Sequence, residues 1–177
     1  MKKFNTRELV FLALLVSLNI VLTRIASIRI SIGGIEGIRI GFGAFPIILG
    51  GIMFGPTAGG IVGTLGDIVG YFINPMGPYM PHFTFTAALI GIIPPIILKP
   101  IKTLIPSFWQ LVIAIGIGQL VSSVILVPYF IQLLFHLSMK VTLPPRIITQ
   151  IIQVPLYALF TRIILDKLHL ALKFKAN

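Results

Sequence analysis

Residues 54–70 read Phe54-Gly55-Pro56-Thr57-Ala58-Gly59-Gly60-Ile61-Val62-Gly63-Thr64-Leu65-Gly66-Asp67-Ile68-Val69-Gly70, and this stretch decides how the chain folds. The adjacent Gly55 and Pro56 predict a tight link between two helices that pack as an antiparallel hairpin. After the link, Gly55, Gly59 and Gly63 recur at four-residue spacing, which allows helix backbones to approach closely inside a membrane. We therefore expect this helix to lie at the centre of a helical bundle, with its glycines serving packing.

The rest of the chain has the composition of an integral membrane protein. It has 177 residues, of which 56% are hydrophobic and only 10% charged, and its mean hydropathy is +1.05. Proline, glycine and charged residues divide it into six candidate spans, at 7–26, 42–54, 57–73, 83–98, 108–136 and 145–168. Nothing marks a domain boundary, so residues 1–177 are interpreted as a single transmembrane domain in the cell membrane. The fold class expected is an all-α membrane protein, a bundle of six transmembrane helices.

The basic residues indicate the orientation of this bundle. An even number of spans places the clusters near Lys2, Lys99 and Lys167 on one side, which the positive-inside rule makes cytoplasmic. Both termini are then cytoplasmic. The opposite side receives five cations that run against this bias, and they serve either a function or snorkelling to lipid headgroups: Arg24, Arg29, Arg39, Lys140 and Arg146.

The first outer connection, Ile28-Arg29-Ile30-Ser31-Ile32-Gly33-Gly34-Ile35-Glu36-Gly37-Ile38-Arg39-Ile40, alternates apolar and polar residues on both sides of a Gly-Gly pair. A period of two predicts a β-hairpin. Its isoleucines need an apolar surface to cover. We expect an extracellular lid over the mouth of the bundle, and the alternative is an amphipathic loop on the bilayer surface.

Asp67 is the only carboxylate in the interior of a predicted span. An unpaired charge there is costly, so it requires a cation or strong hydrogen-bond donors. Two interpretations stay open: a structural ion pair with Arg24 or Arg146, or recognition of N–H groups on a flat heterocycle. Tyr71 shares the face of Asp67 one turn later.

Leu143-Pro144-Pro145-Arg146 predicts a helix start, because proline is tolerated in a first helical turn. Arg146 would then lie near the electropositive end of that helix, with Gln150 one turn further on. Gln132 and His136 form a similar pair on the fifth span, and Phe83 opens the fourth with a ring that can stack. Together the outer-half residues predict one outward-facing polar pocket, formed by Arg24, Asp67, Tyr71, Gln132, His136, Arg146 and Gln150.

The sequence also lacks the motifs of several function classes. It has no phosphate-binding loop, no His-Glu-x-x-His and no carboxylate cluster, so we expect no enzyme activity, no cofactor and no metal. Cysteine is absent, and the net charge of +10 comes from scattered residues rather than from a nucleic-acid-binding stripe. The alternative enzyme interpretation, a small lipid-modifying membrane enzyme, is motivated by the buried Asp67 and nearby histidines.

Phe45-Pro46-Ile47-Ile48-Leu49-Gly50-Gly51-Ile52-Met53-Phe54-Gly55-Pro56, with Gly66-Asp67 and the loop from Asn74 to His82, resembles the substrate-binding S components of energy-coupling factor (ECF) vitamin transporters. Pro145-Arg146-Ile147-Ile148-Thr149-Gln150 is similar to the sixth-helix motif of the folate-specific branch. The resemblance implies a six-helix protein that captures folate outside the cell and works with a transmembrane coupling subunit and two ATP-binding subunits. Another vitamin, such as pantothenate, is the alternative ligand.

The resemblance also implies roles for particular residues. Arg146 and Arg24 would meet anionic or acceptor groups of folate. Asp67, Gln132 and Gln150 would read its pterin edges, and Tyr71, Phe83 and His136 would line or stack. S components present a small-xxx-small face of the first helix to the coupling subunit, and Ala13 with Ser17 matches this face by position.

Overall fold

The computed structural model describes residues 4–25, 27–32, 35–75, 78–101 and 105–176, with backbone only for 28–32, 35–40 and 169–176. The helices and strands follow in chain order: α1 Thr6–Ile20, continued by a π-helical segment Val21–Ile25, β1 Ile28–Ile32, β2 Ile35–Ile40, α2 Ala44–Phe54, α3 Pro56–Ile73, α4 Pro81–Leu98, α5 Phe108–Gln119, continued by a second π-helical segment Leu120–Leu126, α6 Val127–Phe135 and α7 Met139–Ala176.

These elements form six helical rods, because α1 is continuous with the first π-helical segment and α5, the second π-helical segment and α6 form one rod from Phe108 to Phe135. Four of the rods are long and apolar enough to cross a membrane. α2 is a shorter apolar helix, and α3 follows it after a single non-helical residue. The described elements therefore confirm a bundle of six helical rods, and four of these rods have the length and composition of a membrane span.

Gly55 forms the tight link between α2 and α3. Its φ of 102° lies in the left-handed region that favours glycine, and Pro56 begins α3 directly afterwards. This geometry produces the predicted helical hairpin.

The glycines of α3 allow three helix backbones to touch. A Cβ added at Gly59 would collide with the backbone of Gly91 in α4, and one added at Gly63 would collide with the carbonyl of Ala87. Gly51 in α2 faces the same Gly91 carbonyl. Since α3 packs most extensively against α4 and also contacts α1 and α2, its predicted central position is confirmed.

Strands β1 and β2 pair antiparallel, with Ile28 opposite Ile40 and Ile30 opposite Ile38. The pairing shifts register after Ile30, and Ser31 lies opposite Glu36. The strands occupy the stretch in which the period of two predicts them. The tip, residues 33–34, lies outside the described residues, and the role of the hairpin as a lid stays a prediction.

The last helix begins earlier than the sequence predicts. Helix α7 starts at Met139, so Pro144 and Pro145 lie inside it rather than at its first turn. Each proline removes an N–H that would bond to a carbonyl four residues earlier, but both fall close to the helix start, where little of the helix precedes them. Arg146 consequently lies about two turns into the helix, away from the electropositive end.

Candidate functional site

A cavity of about 360 Å³ lies inside the bundle, next to the segment Gly41–Gly43 that leads from β2 into α2. Helices α1, α3, α4, α5 and α7 all contribute to its wall. The polar and charged side chains of the wall are Asn19, Thr23, Arg24, Asp67, Tyr71, Tyr79, Thr86, Gln119, Ser123, Arg146, Gln150, Gln153 and Tyr157. A cavity with this mixture of apolar surface and converging polar groups is typical of a small-molecule site.

Asp67 pairs with Arg24 in the cavity wall. One guanidinium nitrogen lies 3.6 Å from Asp67 Oδ1, and the side chains are only 6% and 20% exposed for Arg24 and Asp67, respectively. The Thr84 hydroxyl donates to Asp67 Oδ2 at 2.7 Å, and the Tyr79 hydroxyl lies 2.9 Å from the Thr84 hydroxyl. The structure therefore pairs Asp67 with Arg24, one of the two partners proposed from the sequence. Arg24 also donates to the Asn74 carbonyl at 3.3 Å, which ties the first π-helical segment to the end of α3.

Side chains from the first and last helices hold the segment Gly41–Gly43 at the cavity edge. The carbonyl of Gly41 accepts from Gln153 Nε2 at 3.0 Å and from the Tyr157 hydroxyl at 2.8 Å. The carbonyl of Gly43 accepts from Asn19 Nδ2 at 2.6 Å. These three side chains are buried and already bonded to the protein, so they position the base of the β-hairpin.

Two other amides in the wall keep an atom without a hydrogen-bond partner among the described residues. They are Gln119 Nε2, at the end of α5, and Gln150 Oε1, on α7. The other end of the Gln119 amide is used, because its Oε1 accepts from the Ser123 hydroxyl at 2.7 Å. Buried polar atoms are normally paired, so these two atoms are exceptions among the described residues.

Both π-helical segments border the cavity. The first supplies Thr23 and Arg24, and the second supplies Ser123. Hydroxyl groups bond back to main-chain carbonyls around them, from Ser27 to Thr23 and from Ser122 to Gly118. Wider helical turns often occur at functional sites, and here they help turn polar side chains towards one space.

The structure brings six of the eight predicted site residues together. They all line the cavity, and they are Arg24, Asp67, Tyr71, Phe83, Arg146 and Gln150. It does not bring in Gln132 and His136, which are exposed on and just after α6. The π-helical segment before α6 changes the rotation of this helix, so that Phe135 lines the cavity instead. Asn19 and Gln119 also line the cavity but were not predicted from the sequence. Each is an isolated amide in an apolar helix, and this pattern could have indicated that they face the polar interior of the bundle.

Ala13 and Ser17 lie outside the bundle. Both are exposed, and they line a shallow apolar groove between α1 and α3 whose opposite side is formed by Ile61, Leu65 and Val69. The Ser17 hydroxyl donates to the Ala13 carbonyl at 3.0 Å. Because that hydroxyl is satisfied within its own helix, Ser17 presents a small surface much like that of alanine.

Comparison with known proteins gives a family and a set of relatives. The family described as ECF-type riboflavin transporter, S component, matches residues 3–169. A folate transporter FolT from Clostridium novyi is 33% identical over 159 residues, which cover 90% of this chain and 87% of that protein. A second folate transporter FolT, from Leuconostoc mesenteroides, is 26% identical over 87% of this chain and 82% of its own length.

A solved structure, of a FolT protein bound with folic acid, has the same fold. Its TM-score is 0.77 at 24% identity, and the match covers 93% of this chain and 95% of the other.

Proposed function

This chain belongs to the ECF-type transporter S components, in the family described for riboflavin, and we propose that its own ligand is folate, bound in the cavity beside Gly41–Gly43. The chain is a multi-pass protein of the cell membrane, and its family is that of a transport component rather than an enzyme. The 33% identical relative named as a folate transporter supports folate over riboflavin.

The charge of the cavity wall is the observation that carries this choice. Two arginines, Arg24 and Arg146, line the cavity together with one carboxylate, Asp67, which pairs with Arg24. Among the lining side chains that the structure describes, cations therefore outnumber carboxylates, which suits a dianionic ligand. Folate carries two carboxylates, whereas riboflavin has none and pantothenate has one. In a water-poor site, an arginine–carboxylate bond is strong and directional.

We assign the anionic tail to Arg146 and aromatic contacts to Tyr71 and Phe83, which face the cavity from α3 and α4. Gln150 lies one turn from Arg146 on α7 and supplies an amide for the polar edges of the ligand. Arg24 and Asp67 lie at the wall as a bonded pair, and the guanidinium remains close enough to the cavity to add to its positive field.

Titration of the purified protein with folic acid, riboflavin and pantothenate tests the ligand. Folic acid is expected to bind most tightly. Arg146→Ala should weaken its binding roughly 10- to 100-fold, because a hydrogen bond to a charged group contributes about 1.5–3 kcal/mol. Lys140→Ala removes an exposed cation from the same helix and is the matched control. Equal affinities for the two variants would remove Arg146 from the site.

We propose that uptake requires a transmembrane coupling subunit and two ATP-binding subunits, as the family implies. The exposed groove at Ala13 and Ser17 supports a docking face for the coupling subunit, since small residues there leave room for another helix. The lipid bilayer surrounds the remaining exposed apolar surface.

The β-hairpin is proposed as the extracellular lid, with both termini cytoplasmic. Its base is bonded to α7 through Gly41, which itself lines the cavity, so its movement would open or cover the ligand. Because the chain contains no cysteine, Ser31→Cys can be labelled as a single site. A membrane-impermeant thiol reagent added outside cells should react with this variant, and folate should slow the reaction. Labelling from the cytoplasmic side alone would reverse the proposed orientation.

A further inference from the structure

The main-chain carbonyl of Gly91, in the middle of α4, cannot accept the usual hydrogen bond of an α-helix. The residues three and four positions later, whose N–H groups would normally reach it, are Pro94 and Pro95. Proline has no N–H, and its ring also clashes with the carbonyl four residues earlier and turns it outward. An unsatisfied carbonyl is costly inside a membrane, so neighbouring helices must supply the bonding that α4 lacks.

Two glycines of the neighbouring helices direct a Cα hydrogen at this carbonyl. A Cβ built at Gly51 in α2, or at Gly59 in α3, would overlap the carbonyl oxygen of Gly91. In glycine a hydrogen takes the direction of that Cβ, so each of the two residues points a Cα–H group at the same oxygen. The contact with α3 is reciprocal, because a Cβ built at Gly91 would overlap the carbonyl oxygen of Gly59.

The half of α4 that precedes Gly91 forms part of the cavity wall. Its lining residues are Phe83, Thr86, Ala87 and Ile90. Because Pro94 and Pro95 also remove two consecutive hydrogen bonds of α4, this half is free to bend relative to the rest of the helix. The contacts of the Gly91 carbonyl with α2 and α3 then fix its direction, and with it the position of the wall.

We infer that Pro95 is a positioning residue for the cavity. It releases the Gly91 carbonyl, this carbonyl accepts the Cα–H groups of Gly51 and Gly59, and the two contacts hold the wall formed by α4 in place. One Cα–H···O contact contributes about two- to fivefold to an equilibrium constant, so the two together contribute about 5- to 30-fold. Pro95 itself lies outside the cavity wall, and its role does not depend on which ligand the cavity binds.

Pro95→Ala tests the first step, because it restores an N–H that competes for the Gly91 carbonyl. A Cα–H···O contact moves the resonance of the Cα hydrogen downfield, which NMR detects in protein labelled with ¹³C-glycine. The Cα hydrogens of Gly51 and Gly59 should therefore move upfield in the variant. Gly116, whose Cβ direction meets only the side chain of Val154, is the internal reference. Unchanged resonances of Gly51 and Gly59 would overturn the inference.

Titration with folic acid tests the positioning itself, and this step rests on the proposed function. Pro95→Ala should weaken binding about 5- to 30-fold, the contribution of the two contacts. Pro155→Ala is the matched control, because Pro155 is an exposed proline inside α7 that does not line the cavity. Both variants gain an N–H and helix propensity, so neither should have a lower Tm than the wild type.

A loss of affinity without a loss of Tm is the signature of a positioning residue. Equal affinities for Pro95→Ala and Pro155→Ala would overturn the inference. A parallel fall in Tm and affinity would also overturn it, because Pro95 would then serve stability alone.

Failure of the proposed function has a different signature. If the wild-type protein binds riboflavin and not folic acid, the folate assignment is refuted. The glycine resonances still decide whether the Gly91 carbonyl is shared by α2 and α3. Riboflavin then replaces folic acid in the titration, and Pro95→Ala should again bind more weakly than Pro155→Ala.

Discussion

Replacing Gly59 by alanine tests whether the contact between α3 and α4 depends on the absence of a side chain. The new Cβ would overlap the carbonyl oxygen of Gly91. It would also lie 2.7 Å from the carbonyl carbon of Gly91 and 2.7 Å from the Cα of Gly51. Carbon atoms pack at about 3.5–4.0 Å, so the helices must separate by about 1 Å. The neighbouring atoms are main chain and cannot rotate away. Overpacking of this kind costs about 1–3 kcal/mol.

Gly116→Ala is the matched control, because its Cβ would meet only Val154 Cγ1 at 3.7 Å, an ordinary contact. Both variants gain up to about 1 kcal/mol from the higher helix propensity of alanine, so their difference isolates the overpacking cost. For a chain of this size, 1–3 kcal/mol corresponds to a gap of about 2–12 °C in Tm. Thermal unfolding in detergent, followed by circular dichroism, measures this gap. Equal Tm values for the two variants would refute the close-packing argument.

Three further changes test other contacts. Asp67→Asn keeps the bond from Thr84 but removes the carboxylate that pairs with the buried Arg24. It should therefore reduce stability by about 3–5 kcal/mol in thermal unfolding, and Arg24→Gln in the same chain should restore much of the loss. An unchanged Tm with lost folate binding would instead make Asp67 a ligand contact. Tyr157→Phe removes one of the two hydrogen bonds from α7 to the Gly41 carbonyl and should lower the free energy of unfolding by about 1 kcal/mol. Amide hydrogen exchange in β2 should become faster. Unchanged exchange would contradict the role of Tyr157 in tethering the base of the hairpin. Ala13→Leu fills the exposed groove, so folate binding should persist while uptake by cells that contain the whole transporter is lost; loss of both would place this face inside the bundle.

The positions of the helices were predictable from sequence because glycine spacing and apolar length express packing directly. Gly59 and Gly63 have no side chain, so the face of α3 that they form leaves room for the main chain of a neighbouring helix to pack directly against it. The polar residues Arg24, Asp67 and Arg146 were predictable as a group for a similar reason, since a charged group inside a membrane must find a partner or a polar space.

The rotation of individual helices was not predictable in the same way. The one-turn spacing of Gln132 and His136 predicted that they share a face but not which way that face points. The π-helical segment Leu120–Leu126 alters the rotation of α6, and both residues are exposed. The predicted start of α7 was wrong for another reason. Pro144 and Pro145 have a strong local preference for a first turn, but α7 nevertheless continues through them from Met139.

The bonds at Gly41 have a consequence for the order of events during biosynthesis. Gln153 and Tyr157 lie 112 and 116 residues further along the chain than the carbonyl to which they donate. Membrane insertion proceeds from the N-terminus, so the base of the hairpin is made long before its partners leave the ribosome. α2, α3 and α4 can assemble from neighbouring segments, whereas the cavity edge waits for the final helix. A nascent chain that stops before α7 would therefore hold a formed glycine interface and an unfinished binding site.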